Sequence, residues 1–120
     1  IPEKIRGATR TMNNLFNNLK RLGIPVAYHH FVNRTTPTIP YLVYYSEGSE
    51  KTLADNKIHW KVVDMVVELY NTKKDLKLEE KLENILDEMK LIYDKTETYI
   101  SDEDIYMISY DFKLENRRKK

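Results

Sequence analysis

The strongest run of apolar positions lies in the middle of the chain, at residues 58–70. β-Branched and aromatic residues dominate this segment and it has neither glycine nor proline, which indicates a strand. Alternate side chains of a strand point to opposite faces of a sheet. One face then carries Val63, Met65, Val67 and Leu69, and the other carries Trp60, Val62, Asp64, Val66, Glu68 and Tyr70. We expect a central strand with helices covering the first face and a mixed, partly exposed second face.

Two stretches have the spacing of amphipathic helices. In the first, apolar residues recur at helical intervals from Ile5 to Leu22, and Gly23 supplies a stop. In the second, apolar residues from Leu78 to Ile92 form one face, and Asp75 is a candidate N-cap. The opposite face of the second helix is predicted to be a solvated acidic surface, formed by Glu79, Glu80, Glu83, Asp87 and Glu88.

Shorter apolar segments complete the pattern of elements. Strands are predicted at Val26–Phe31, Tyr41–Tyr45, Thr96–Ile100 and Ile105–Leu114. The polar residues 46–57 are predicted to be a mobile loop or the tip of a long hairpin. The order is α-β-β-β-α-β-β, so the fold class is α+β, with two α-helices on one face of a mostly antiparallel sheet of about five strands.

Length and charge limit the range of functions. The 120 residues fit one domain, residues 1–120, in which 1–11 form an extension and 115–120 a charged tail. Twenty basic residues face nineteen acidic ones, and this balance argues against a partner held by bulk electrostatics. No apolar run approaches the roughly 20 residues of a membrane span. We therefore expect a soluble, intracellular protein without a membrane partner.

The sequence offers little chemistry. Cysteine is absent, which excludes disulfides and thiolate ligands. His29 and His30 are neighbours on a predicted strand, so they point to opposite faces and do not chelate one ion together. The acidic run Asp102–Asp104 lacks the ligand spacing of a calcium loop. We predict no catalytic, cofactor-binding or metal-binding residues, and no enzyme. Of the nine tyrosines, some suit packing on half-buried strands and others suit subunit interfaces.

Several segments together resemble a known family. They are Leu22–Phe31 (LGIPVAYHHF), Pro40–Tyr45 (PYLVYY), Ala54–Lys57 (ADNK), Val67–Tyr70 (VELY), Glu97–Ile100 (ETYI) and Ile105–Phe112 (IYMISYDF). In these segments the chain resembles the small tail terminator, or tail completion, proteins of long-tailed bacteriophages and prophages. The resemblance covers most of the chain, from Leu15 to Leu114, and its motifs are structural.

The resemblance implies a virion protein at the head-proximal end of the tail, assembled in the host cytoplasm. Such a protein forms a ring, usually a hexamer, on the tail tube protein, stops its polymerisation and offers a surface to the head–tail connector protein. A variant of this hypothesis, suggested by the charge-rich composition, is a free monomer that becomes a ring only on docking. Nucleic acid is expected only to pass through the ring. The residues expected at the subunit and tube interface are Trp60, Val62, Val66, Tyr70, Glu50, Lys51, Asp55 and Lys57.

Two alternatives remain open at this stage. A head-completion or stopper protein of the head–tail connector is also small, ring-forming and non-enzymatic. A small nucleic-acid-binding domain would instead use the basic residues Arg6, Arg10, Lys20 and Arg21 with the basic end of the chain. Strong binding that weakens with salt would distinguish this last alternative.

Overall fold

A computed structural model of the chain describes residues 12–29, 38–54 and 57–117, with side chains described at 12–29, 38–48 and 62–115. Helix α1 occupies residues 12–19 and continues into a 3-10 turn at Lys20–Leu22. The remaining elements are β1 (Val26–Tyr28), β2 (Tyr41–Ala54), β3 (Lys57–Asn71), α2 (Leu76–Glu88), β4 (Tyr93–Ile100) and β5 (Ile105–Arg117). This order confirms the predicted α+β fold.

The five strands form one sheet in the order β1-β2-β3-β5-β4. Strand β1 pairs with β2 in parallel, and the other three pairings are antiparallel. Strand β3 lies in the centre, as the apolar run at 58–70 predicts. The pairing Val67↔Tyr110 and its neighbours place the apolar residues of β3 and β5 on the same face.

Both described helices pack on that face and close the core. Leu15 and Leu19 of α1 and Leu82 and Leu86 of α2 are fully buried there. They meet a sheet surface formed by Leu42, Met65, Val67, Leu69, Ile108, Tyr110, Phe112 and Leu114. The aliphatic helix faces pack on a sheet face that is mostly aliphatic, and together they form the apolar core of the described residues.

Local signals set the helix ends. Gly23 adopts φ of 82°, the left-handed conformation that glycine enters without strain, and its N–H donates to the Lys20 carbonyl. The Asp75 side chain accepts a hydrogen bond from the Leu78 N–H at 3.1 Å, which confirms the predicted N-cap. The predicted start of the first helix, at residues 5–11, lies outside the described residues.

The segment at 46–57 is a hairpin. Strand β2 runs to Ala54 and β3 begins at Lys57, so most of the predicted loop is paired strand, and only residues 55–56 lie outside the described part. The alternative of a mobile loop is therefore wrong, and the long hairpin is confirmed. Hydrogen bonds between the two paired strands satisfy backbone N–H and C=O groups along the hairpin.

Three strand boundaries differ from prediction. Strand β1 ends at Tyr28, because His29 turns the chain with φ of 65°; residues 30–31 lie outside the described part. Strand β4 begins earlier, at Tyr93, because it pairs with Phe112. Strand β5 extends through Arg117 into the predicted charged tail, because Glu115–Arg117 pair with residues 60–62 of β3. Residues 118–120 of that tail are not described.

The predicted faces of α2 need two corrections. Glu79, expected in solvent, is 3% exposed because it faces β4 and pairs there with Lys74 and Lys95. Ile92, expected in the core, is 93% exposed because α2 ends at Glu88 and the chain turns at Lys90, whose φ is 61°. The described residues contain no helix that is long and apolar enough to cross a membrane.

Candidate interaction surface

The face of the sheet opposite the two helices is the surface that sequence analysis links to function, and we name it the helix-free face. The strand register places Tyr41 beside Tyr70, Val43 beside Glu68, and Tyr45 beside Val66 on this face. Strand β5 adds Met107, Ser109, Asp111 and Lys113, and β4 adds Asp94, Thr96 and Thr98. Side chains from four adjacent strands therefore share this surface.

A carboxylate surrounded by tyrosines lies at its centre. The Tyr45 hydroxyl donates to Glu68 Oε2 at 2.9 Å, and the Tyr70 hydroxyl donates to Glu68 Oε1 at 2.8 Å. Tyr41 stacks on Tyr70 with ring centroids 5.0 Å apart and planes 18° from parallel. We name Tyr41, Tyr45, Glu68 and Tyr70 the tyrosine cluster; all four side chains are half-buried.

Burial and the carboxylate act together on the phenols. Burial, with the hydrogen bond to Glu68 second, raises the pKa of Tyr45 to about 12. The same two causes raise the pKa of Tyr70 still further. Both phenols therefore keep their protons at neutral pH and act as hydrogen-bond donors. The cluster is suited to positioning and contact, because neutral phenols of this kind are poor nucleophiles and poor bases.

The surroundings of the cluster are acidic. Asp94 and Asp111 lie directly opposite each other in the pairing of β4 with β5, although like charges in such a pair repel. Asp64 pairs with the Lys113 ammonium at 2.9 Å. In the described part of the chain, the hydrogen-bond partners of Glu68 are the two hydroxyls, so its negative charge has no described counter-ion.

Three valines form an apolar floor under these polar groups. Val43, Val62 and Val66 are buried, and they lie apart from the core cluster that the helices cover. The expectation of partial exposure is therefore wrong for Val62 and Val66, which are 8% and 3% exposed because they lie on the central strand, paired with β2 on one side and β5 on the other. The expectation of partial exposure is confirmed for Asp64, Glu68 and Tyr70, which are half-buried.

The predicted interface residues divide into three groups. Val62, Val66 and Tyr70 lie on the helix-free face, where Tyr70 belongs to the tyrosine cluster. Glu50, Lys51, Lys57 and Trp60 lie on the paired strands of the hairpin, where the backbone is described and the side chains are not. Asp55 lies outside the described residues. The register separates the second group from the tyrosine cluster along the strands.

Sequence analysis did not identify Glu68, Tyr41 or Tyr45 as interface residues. Alternation alone places Glu68 and Tyr70 on one face of β3, but the positions of Tyr41 and Tyr45 depend on the register of β2 against β3. That register follows from the long hairpin. The cluster can be predicted from the sequence if residues 41–70 are paired as one hairpin, because the pairing shows which side chains lie beside each other.

A second feature is a groove at one edge of the sheet. It has a volume of about 1190 Å³ and lies where β4 stops beside the end of β5, and its lining extends to Asn14 of α1, Asp64 of β3 and Glu47 of β2. Its apolar lining includes Met65, Met89 and Leu91, and its polar lining includes Asp94, Asp111 and Glu115. The groove thus has one apolar side and one charged side, next to backbone that no described strand pairs with.

No family model and no curated protein matches this chain. Within residues 12–29, 38–54 and 57–117, no group of three or more histidine and carboxylate side chains is placed to hold a metal ion. The features that remain for assigning a function are the helix-free face, the tyrosine cluster and the edges of the sheet.

Proposed function

We propose that this protein is a structural subunit of a phage tail. It acts as a ring that caps the tail tube, stops tube polymerisation and provides the surface to which the head connector joins. The proposal starts from the resemblance of Leu22–Phe31, Pro40–Tyr45 and Ile105–Phe112 to tail terminators. A small α+β domain is compatible with it.

The observation that carries the proposal is the one-sided construction of the sheet. Both described helices pack on one face, and the other presents the tyrosine cluster above an apolar floor of valines. Tyrosine is enriched at protein interfaces, where its ring supplies apolar area and its hydroxyl a directed hydrogen bond. An apolar floor bordered by polar groups is also the usual anatomy of an interface. We assign this face to contacts with the tube or with neighbouring subunits.

A subunit of this kind does not need to form rings in free solution. On the tube, the last ring holds six copies of a docking site close together, which raises the effective concentration of neighbouring subunits. Weak contacts between copies then suffice for a complete cap. The purified protein is therefore expected to sediment as a monomer at micromolar concentration and as a ring only on tubes.

The charge on the helix-free face does not favour the nucleic-acid alternative. Asp94, Asp111 and Glu68 would meet the phosphate backbone with like charge, whereas DNA-binding surfaces concentrate lysine and arginine. A ring subunit that DNA only passes through has no need of a basic patch on this surface.

Deleting the gene in the phage or prophage that encodes this chain tests the proposal. Electron microscopy of the lysate is expected to show headless tubes of uncontrolled and abnormally great length, because nothing stops polymerisation. Expressing the wild-type protein in trans should restore normal tails, and Glu68→Arg should restore them poorly, because it places a cation among the tyrosine donors.

Other outcomes of the deletion separate the rival functions. Tails of normal length that fail to join heads would contradict the terminator and favour the stopper protein. Normal, infectious particles would contradict any role in tail completion. A matched variant on the helix side, Glu80→Arg, controls for a general effect of added charge, because Glu80 is exposed on α2.

A further inference from the structure

Glu68 is a half-buried carboxylate for which the described residues supply no counter-ion. Its two oxygens accept hydrogen bonds from the hydroxyls of Tyr45 and Tyr70 at 2.9 and 2.8 Å. No ion pair among the described residues includes Glu68, and Lys113 of the same face pairs with Asp64. Removing a carboxylate from water costs free energy that hydrogen bonds and cations offset. Two neutral hydroxyls offset part of this cost, so a cation at this carboxylate would lower the free energy further.

Other carboxylates add to the negative potential at the tyrosine cluster. Burial and the cluster's own carboxylate are the largest causes of the raised pKa of Tyr45, and the charges of Glu47 and Asp111 raise it further. Burial, followed by the charge of Glu103, raises the pKa of Tyr41. These three carboxylates belong to β2, to β5 and to the turn between β4 and β5. Negative charge therefore surrounds the cluster, and it attracts a cationic partner group.

Aromatic rings border this carboxylate. Tyr41 and Tyr70 stack with ring centroids 5.0 Å apart, and the His29 ring contacts the edge of the Tyr45 ring at 5.9 Å between centroids. The three tyrosines are half-buried, so part of each side chain is still accessible to a partner. The face of a tyrosine ring attracts a cation placed over it. The border therefore favours a cation that is flat enough to stack on a ring.

The hydrogen-bonding groups favour a guanidinium over other cations. Each oxygen of Glu68 accepts one hydroxyl, and a carboxylate oxygen can accept a second hydrogen bond. A guanidinium offers two parallel N–H groups to a carboxylate and stacks its plane on aromatic rings, whereas an ammonium is a compact charge without this planar fork. A divalent metal ion needs several oxygen ligands, and the described residues place no such group together.

The setting indicates that a protein carries this cation. The cluster lies on the open helix-free face, and none of its four residues lines the groove at the sheet edge. Small ligands bind in concave sites that cover most of their surface. Next to the cluster, Val43 and Val66 belong to an apolar floor, which the surface of another protein can cover around a central charged contact. Arginine is one of the residues enriched at the centre of such interfaces.

We propose that the tyrosine cluster is the receptor for an arginine side chain of a partner protein. The guanidinium bonds to Glu68 and stacks on the exposed part of a tyrosine ring. This inference rests on the proposed function, which assigns the helix-free face to protein contacts, and it adds the chemistry of the partner's contact residue. Whichever protein docks on this face, the tube protein or a neighbouring subunit, is expected to place an arginine at the cluster.

A titration with short peptides tests the chemistry without a known partner. Capped tripeptides with arginine, lysine or citrulline between two glycines are added to the purified, ¹³C-labelled protein. NMR follows the carboxyl carbon of Glu68 and the ring signals of Tyr41, Tyr45 and Tyr70. Citrulline has nearly the shape of arginine and no charge. We expect saturable shifts with the arginine peptide, weaker binding of the lysine peptide, and no shifts with the citrulline peptide.

Matched variants locate the binding on the protein. Glu68→Gln should weaken binding of the arginine peptide about tenfold, because it removes the charge from the acceptor. Asp94→Asn, an exposed carboxylate of the same face, should weaken it by less than about twofold. Tyr41→Leu should weaken it about threefold through the lost ring. Tyr99→Leu, on β4 and 48% exposed, is the control for that change and should have no effect.

Three results would overturn this inference. One is an arginine peptide that shifts the cluster signals no more than the citrulline peptide does. Another is an equal loss of binding in Glu68→Gln and Asp94→Asn, because the attraction would then come from the whole acidic face. The third is a lysine peptide that binds as tightly as the arginine peptide, which would rule out selection of a guanidinium. Backbone amide spectra of each variant check that the fold is retained.

The arginine receptor and the proposed function fail separately. If the deletion gives overlong tubes but the arginine peptide does not bind at the cluster, the cap function stands and the receptor is wrong. If the arginine peptide binds but deletion leaves tail length unchanged, the receptor stands and the cap function is wrong.

Discussion

A shielded carboxylate lies on each side of the sheet, Glu79 of α2 on one side and Glu68 of β3 on the other, and the two differ in the groups that surround their charge. On the helix side, Glu79 is 3% exposed and receives ion pairs from Lys74 at 2.8 Å and Lys95 at 2.9 Å. On the helix-free face, Glu68 is half-buried, and its hydrogen-bond donors among the described residues are the hydroxyls of Tyr45 and Tyr70. Lysine cations compensate the first charge, whereas the described donors to the second are neutral hydroxyls.

On the helix side, Lys74, Glu79, Glu83, Lys95 and Tyr110 form a network of ion pairs and hydrogen bonds that we name the clamp. Lys95 bridges Glu79 and Glu83, and the Tyr110 hydroxyl donates to Glu83 at 2.8 Å. Lys74 joins the same group and also bonds Glu97 on β4. These contacts tie α2 to β4 and β5 at the point where the aliphatic core ends. The tyrosine cluster connects the neighbouring strands β2 and β3, so it stabilises their pairing and does not join a helix to the sheet.

The largest expected effect is in the helix-covered core. Leu86→Ala should lower the free energy of unfolding by about 2–5 kcal/mol, because Leu86 is fully buried and its loss leaves a cavity. Leu76→Ala, in the first turn of the same helix and 67% exposed, is the matched control, with an expected change within about 0.5 kcal/mol. Urea denaturation measures both. Equal losses would contradict the assignment of the core.

The next effect concerns the clamp. Glu79→Gln should cost about 1–3 kcal/mol, because it removes a shielded charge from two lysine partners that are themselves partly solvated. Glu80→Gln on the exposed face is the control and should change little. A loss no larger than that of the control would show that the clamp does not stabilise the fold.

The clamp also predicts an acid-dependent loss of stability. Burial of Glu79 opposes ionisation, but hydrogen bonds and charge from Lys74 and Lys95 outweigh it and lower the pKa below the ordinary 4.5. Its contribution is therefore complete above about pH 4.5 and is lost as the pH falls through the folded pKa. Urea midpoints measured from pH 6 to 3 should fall less steeply in Glu79→Gln. Parallel curves would contradict this.

A smaller effect is expected on the helix-free face. Tyr45→Phe removes one half-buried hydrogen bond to Glu68 and should cost about 1 kcal/mol at neutral pH. Because the folded pKa of Tyr45 is raised to about 12, its contribution is complete below about pH 10 and is lost as the pH rises towards 12. The variant should therefore lose less stability between pH 9 and pH 12 than the wild type. An identical alkaline decline would show that Tyr45 does not carry it.

The smallest effect is expected at an exposed ion pair between the two helices. Arg21 contacts Glu88 at 2.7 Å, and both side chains are more than half exposed. Water and salt screen such pairs, so Arg21→Gln should leave the urea midpoint unchanged within error. A clear loss that disappears at high salt would show that this surface pair contributes to stability after all.

Much of the fold follows from local pattern. The alternation at 58–70 predicts the central strand, Asp75 predicts the start of α2, and Gly23 predicts the end of the first helix. The burial of Glu79 does not follow, because its partners Lys74 and Lys95 come from segments outside α2. The exposure of Ile92 depends on where α2 ends. The helical spacing of apolar residues continues beyond Glu88 to Ile92, so the spacing does not reveal this end.

The candidate site is less accessible to sequence reasoning. Tyr70 was predicted at the interface and lies in the tyrosine cluster, but its partners depend on the register across the hairpin. Val62 and Val66 were assigned to the mixed face correctly, yet their burial depends on neighbours from other strands. The groove beside the start of β4 depends on the lengths of β4 and β5 relative to each other, which no single segment encodes.

We propose that this protein caps a tail tube, and the length of the tube is the quantity that a cap controls. Purified tail tube protein is polymerised with increasing amounts of this protein, and lengths and ends are scored by negative-stain electron microscopy. If this protein is the cap, the tubes should shorten as the ratio rises and carry a ring at one end. Tubes with an unchanged length distribution and bare ends at every ratio would contradict it.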